Sequence, residues 1–167
     1  GRIAAASPEP SDDRGNMLST LALALHDTFL RTRDEQVLDE AVHHARRAVA
    51  AEPEDDWHRS LVLSNLSFVL ATRFQVTGDQ EVLRESVTAA RSSVRTTAAP
   101  VTPNAWSNLC TALTTWHQTT GDPAALDEAE AAGSRPSPWG TRPWQPSGTT
   151  WPSWSTGGSP PPATSPR

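Results

Sequence analysis

Leu21, Leu25, Phe29, Leu38, Ala41, Val42, Ala45, Arg46 and Val49 return 45 residues later, in the same order, as Leu66, Leu70, Phe74, Leu83, Ser86, Val87, Ala90, Arg91 and Val94. A third copy follows at a spacing of 43, with Ser64, Asn65, Leu66, Leu70, Thr77, Gly78, Asp79, Leu83, Glu85 and Ser86 returning as Ser107, Asn108, Leu109, Leu113, Thr120, Gly121, Asp122, Leu126, Glu128 and Ala129. A unit of this length cannot bury its own apolar face. Self-similarity at this period therefore implies units that stack on their neighbours into an elongated array. The expected fold is all-α, a solenoid of antiparallel helical hairpins, and its exposed grooves rather than a closed pocket are where function is expected.

The repeat phase divides the chain. Gly1-Arg2-Ile3-Ala4-Ala5-Ala6-Ser7-Pro8-Glu9 aligns without a gap on Arg46-Arg47-Ala48-Val49-Ala50-Ala51-Glu52-Pro53-Glu54, so residues 1–9 are expected to end a helix of an earlier repeat, in a fragment of a longer array. Repeat one covers residues 10–53, repeat two 54–100 and an incomplete repeat three 101–133. Within each, apolar residues at helical spacing form two runs separated by a short break. In repeat two the break is Thr77-Gly78-Asp79 and in repeat three Thr120-Gly121-Asp122. There the Gly can adopt the left-handed conformation that ends one helix, and the Asp can cap the next. Repeat one has Thr32-Arg33-Asp34, where an Arg at the Gly position predicts either slight strain or a different cap. The pattern predicts helices near 12–31, 35–51, 57–76, 80–97, 103–119 and 123–132, with Pro53 and Pro100 stopping the second helices of repeats one and two.

Residues 134–167 read differently. They hold nine of the 15 Pro and four of the seven Trp, and no Leu, Ile, Val, Met or Phe occurs after Leu126. With no aliphatic face to bury, this tail is expected to be disordered. Pro136 falls where the repeat has Ala48 and Ser93, in the middle of a second helix. Two origins stay open for the tail: a Pro- and Trp-rich ligand segment, or a frameshift in GC-rich coding DNA.

Composition excludes several functional classes. All 14 basic residues are Arg, and residues 1–133 carry 19 acids against 11 Arg, an excess of eight negative charges. A body so acidic argues against binding nucleic acid through phosphates. The single cysteine, Cys110, can form no disulfide within the chain, so a cytoplasmic setting is expected. No run of about 18 apolar residues is present to cross a membrane. His43 and His44 are adjacent and point about 100° apart on a helix, unlike an i, i+4 metal pair. The acidic runs sit at helix starts or in loops, where capping explains them. No catalytic site, cofactor or metal is expected.

The small residues also recur: Ala22, Ser67 and Cys110 share one position, and Ala41, Ser86 and Ala129 another. Sites of this kind let two helices approach closely, and Cys110 is read as such a packing residue. Leu21-Ala22, Ala41, Ala48 and Pro53, with Leu66-Ser67, Ser86, Ser93 and Pro100, resemble the small-residue pattern of the tetratricopeptide repeat. The long period, the turn Arg73-Phe74-x-x-Thr77-Gly78-Asp79 and the start Ser64-Asn65-Leu66 are similar to the extended tetratricopeptide-like repeats of large actinobacterial proteins, many of them fused to a caspase-like CHAT peptidase domain. The resemblance covers residues 1–133 and implies a non-catalytic protein-interaction scaffold whose first helices line a concave groove. Alternatives are a regulatory or sensor arm of a larger CHAT-type peptidase and a truncated or frameshifted gene product without function. On that groove, Asn65, Arg73 and Asn108 are candidate peptide contacts, because Asn can bond a peptide backbone through donor and acceptor and Arg can clamp a carboxylate. A bond between repeats is the competing role for the Asn.

Overall fold

The computed structural model describes residues 13–53, 58–95 and 102–134. All of its regular structure is helical: α1 (Arg14–Thr32), α2 (Glu35–Ala51), α3 (His58–Thr77), α4 (Gln80–Arg95), α5 (Pro103–Thr120) and α6 (Pro123–Gly133). Every helix matches a predicted run to within two residues where its end is described. The earlier-repeat segment 1–9, the tail 134–167 beyond Ser134, and the Pro100 stop lie outside the described residues.

The turns explain why the boundaries are so regular. At the end of α1, α3 and α5, a left-handed residue donates its N–H back to a carbonyl: Arg33 to Phe29, Gly78 to Phe74 and Gly121 to His117, each at 2.8 Å. The Thr before it bonds in both directions. Thr32, Thr77 and Thr120 donate their hydroxyls to the carbonyls of Thr28, Arg73 and Trp116, and accept from the N–H of Asp34, Asp79 and Asp122. Each Asp then caps the second helix, its Oδ1 accepting from Gln36, Glu81 or Ala124 at 2.9–3.0 Å. Orphan groups at both helix ends are thus satisfied by three consecutive residues. Pro123 occupies the first turn of α6, where a missing N–H costs nothing.

Repeat one therefore uses the same cap as the others rather than a different one, and Arg33 takes the strained conformation with φ 60°. Its guanidinium lies 5.9 Å over the Phe29 ring, a compensating contact. Because a non-Gly residue resists this region by about 1–2 kcal/mol, Arg33→Gly is expected to stabilise the chain by about 0.5–1 kcal/mol after the unfolded-state entropy of Gly is set against it. Chemical denaturation of the two proteins checks this, and a destabilised Arg33→Gly protein would show that the Phe29 contact outweighs the strain.

Consecutive helices pair into hairpins, α1 with α2, α3 with α4 and α5 with α6, and each hairpin packs on the next. Two kinds of contact join neighbouring hairpins: first helix to first helix (α1 with α3, α3 with α5) and second helix to following first helix (α2 with α3, α4 with α5). Among the described residues, α2, α4 and α6 make no corresponding backbone approach to one another. First helices thus form a closely spaced layer and second helices a splayed one. One apolar cluster joins hairpins one and two through Phe29, Leu38, Val42, Leu66, Val69 and Leu70. A second joins hairpins two and three through Val87, Ala90, Leu109, Leu113 and Ala129.

Inside each hairpin the helices cross at the paired small residues. Ala22 and Ala41 are both fully buried, Ser86 donates its hydroxyl to the Ser67 carbonyl at 2.9 Å, and Cys110 donates its thiol to the Ala129 carbonyl at 3.4 Å. The intervals 22–41, 67–86 and 110–129 are all 19 residues. Small side chains are needed here because the backbones meet, which is why Ala, Ser and Cys interchange while Leu never enters.

Candidate functional site

The three candidate peptide contacts lie on first helices, Asn65 and Arg73 on α3 two turns apart and Asn108 on α5. Asn65 donates its Nδ2 to Ser19 Oγ of α1 at 2.9 Å. Asn108 donates its Nδ2 to both the Oγ and the carbonyl of Ser64 on α3, at 2.9 and 3.1 Å. Both amides thus tie one first helix to the one before it, the role that competed with peptide contact. The tie repeats because Ser19 and Ser64 recur with the Asn, and both serines are buried beneath it. Among the described residues no donor reaches the Oδ1 acceptor of either Asn, so each half-buried amide keeps one face for another donor.

Arg73 is committed differently. Its guanidinium reaches Glu35 at 3.4 Å and Asp39 at 2.9 Å, both at the start of α2. An incoming carboxylate at Arg73 has to compete with these two acids.

A second set of ties joins the splayed second helices. Arg46 of α2 grips Glu85 of α4 through Nε and a terminal nitrogen at 2.8 and 2.6 Å, and Arg91 of α4 holds Glu128 of α6 in the same two-pronged manner. Hydrogen bonding to the carboxylate raises the pKa of both guanidinium groups. Forked Arg–carboxylate pairs have fixed geometry, so they bridge second helices whose backbones, among the described residues, do not approach one another. Being largely exposed, each contributes about 0–1 kcal/mol. The sequence carried this ladder as the recurrence of Arg46 as Arg91 and of Glu85 as Glu128, without showing that they would meet. At the same level, Arg59 of α3 donates to the carbonyls of Val49 and Glu52, closing the C-terminal end of α2 just before Pro53.

The layer of first helices also carries exposed apolar groups. Leu61, Phe68 and Val76 lie along one stripe of α3, interleaved with Asn65 and Thr72, and Phe68 is 42% exposed. Beside it, His26 of α1 is buried, with Nε2 2.9 Å from Thr72 Oγ1 and its ring centroid 4.7 Å from that of Phe68. Burial lowers the His26 pKa below its ordinary 6.5, against a smaller opposing pull from Asp27. The folded chain thus holds His26 neutral while the unfolded chain protonates it at the ordinary value. The stability this supplies is complete above pH 6.5 and is lost as pH falls through the lowered pKa. Between about pH 7.5 and pH 5, the urea midpoint of the wild type is expected to fall further than that of His26→Gln. Equal falls in the two proteins would remove His26 as the cause.

Cys110 is no nucleophile by environment: its thiol is bonded to the Ala129 carbonyl, and burial raises its pKa away from the thiolate. Among the described residues, no group of three His, Cys, Asp or Glu side chains could hold a metal ion, and no helix is long and apolar enough to cross a membrane. His43 and His44 meet edge to face with centroids 5.5 Å apart.

Compared with protein-family models, with curated proteins and with solved structures, the chain matches none. Its functional reading therefore rests on the geometry above.

Proposed function

We propose that this chain is a non-catalytic protein-interaction scaffold, a right-handed solenoid of tetratricopeptide-like hairpins whose first helices line a concave inner face that binds a peptide segment of a partner protein. The support for curvature is the contrast between first helices that touch and second helices that are only bridged by arginines. Contact in one layer and splay in the other bends an array toward the contacting layer. Phe68 carries the reading. A half-exposed aromatic ring held on one side by a buried His is a rigid apolar anchor, and such anchors dominate recognition energetics. The unused Oδ1 acceptors of Asn65 and Asn108 flank it on the same layer and suit the N–H groups of an extended peptide.

Selection of displayed random peptides against the protein tests this. Enriched peptides are expected to lose at least about tenfold in affinity on Phe68→Asp, the loss of a hot-spot contact worth about 1.4 kcal/mol or more, with helicity and melting temperature unchanged. Peptides that bind Phe68→Asp as well as the wild type would place recognition away from the inner face.

A further inference from the structure

Among the described residues, no helix packs on the face of the first hairpin that corresponds to the covered faces of the other two. In α3 and α5, the positions Val62, Leu66 and Val69, and their counterparts Ala105, Leu109 and Ala112, are all buried; the preceding hairpin packs against these helices. The repeat interval places Met17, Leu21 and Ala24 at the same positions of α1. There Met17 is 63% exposed against 1% for Val62, and Leu21 is 43% exposed against 5% for Leu66. Ala24 is exposed as well. On the second helix the same contrast appears in charge. Glu85 and Glu128 are each gripped by an Arg of the preceding second helix, whereas Glu40, which the repeat places at their position, has no ion-pair partner among the described residues.

We propose that the α1–α2 face is a stacking surface for one more hairpin of the same repeat type, placed before α1, whose second helix supplies aliphatic groups to Met17 and Leu21 and an arginine to Glu40. The interface is continuous in kind with the two already inside the chain, apolar on the first helix and Arg–carboxylate on the second. A second copy of this chain does not supply that chemistry. The open end of hairpin three has Glu130 where Val42 and Val87 stand, and Ser134 where Arg46 and Arg91 stand. Docked head to tail, it would set a carboxylate against Met17 and Leu21 and leave Glu40 without a cation. The inference concerns the face before α1 and is independent of the inner-face reading.

The test is a chain in which residues 10–54, one full interval of 45 residues, are duplicated in front of Pro10 in place of residues 1–9, so that the added copy brings its own Val42 and Arg46 to this face. The extended protein is expected to melt in one transition at least about 5 °C above the original. Met17→Asp at the original position should lower its melting temperature by more than about 5 °C, yet move the original chain by less than about 2 °C. Charge exchange supplies a second reading that does not depend on tolerance of Met17→Asp. Glu40→Arg at the original position should lower the melting temperature of the extended chain, and Arg46→Glu in the added copy should restore it. Two separate transitions, or an equal Met17→Asp effect in both chains, would overturn the proposal. So would sedimentation of the original chain as a dimer that Met17→Asp dissociates, since a second copy would then be the occupant.

Discussion

Leu70→Ala is expected to destabilise the chain by about 2–5 kcal/mol, measured by urea denaturation. Leu70 is fully buried in the cluster that joins hairpins one and two, among Phe29, Leu38, Val42 and Val69. Truncating it removes about three methylene-sized groups from close-packed surroundings and leaves a cavity bounded by helices that the Asn65–Ser19, Arg73–Asp39 and Arg46–Glu85 contacts, among others, hold in place, so the site cannot collapse to fill it. Leu66→Ala belongs in the same range, since Leu66 is buried in the same cluster. The control is Leu21→Ala. Leu21 holds the Leu66 position of the repeat but lies on the open face of α1, and its loss should cost less than about 0.5 kcal/mol. A loss under about 0.5 kcal/mol at Leu70, or equal losses at Leu21 and Leu66, would show that repeat position rather than neighbour contact sets burial, and the stacking account would fail.

That contrast also marks what the sequence can and cannot disclose. The helix limits were legible because these turns are local: each satisfies its own caps within nine residues, Thr28 to Gln36 in repeat one, so spacing alone locates it. The small-residue crossing was legible for the same reason, since 19 residues of hairpin bring Ser67 back to Ser86 whatever the neighbouring hairpins do. Burial of Leu21 was not legible. It follows the repeat pattern faithfully, and only the absence of a preceding hairpin over α1 among the described residues distinguishes it from Leu66. The partners of Arg73, Arg46 and Arg91 were hidden too, because each lies 34–39 residues away along the chain in another hairpin. The recurrence of Arg46 and Glu85 at repeat intervals was visible, but choosing that pairing over solvent requires the stacking offset between hairpins. Asn65 and Asn108 show the same limit: the repeated Asn was evident, whereas the Ser beneath it became meaningful only once α1, α3 and α5 lay side by side.

The crossing site gives the other large effect. Ser86 is fully buried where α4 meets α3, and its hydroxyl donates to the Ser67 carbonyl and lies 3.2 Å from Ser67 Oγ. Ser86→Leu adds branched bulk at a point where two backbones are in close approach, so the helices must separate along their length or the side chain must leave its preferred rotamer. Overpacking of this kind costs about 1–3 kcal/mol, and loss of the buried hydrogen bond adds about 1 kcal/mol. Ser86→Ala isolates the second part, because it keeps the volume and strands the Ser67 hydroxyl without that neighbour. The double change Ser67→Ala with Ser86→Ala recreates the Ala22–Ala41 pair of hairpin one, and should be close to neutral, since removing both partners leaves no buried hydroxyl unmatched. Thermal melts of the three variants order as Ser86→Leu lowest, Ser86→Ala intermediate and the double alanine nearest the wild type. A Ser86→Leu protein as stable as the double alanine would mean that the helices can part freely at this point. The recurrence of Ala, Ser and Cys there would then need a cause other than close approach.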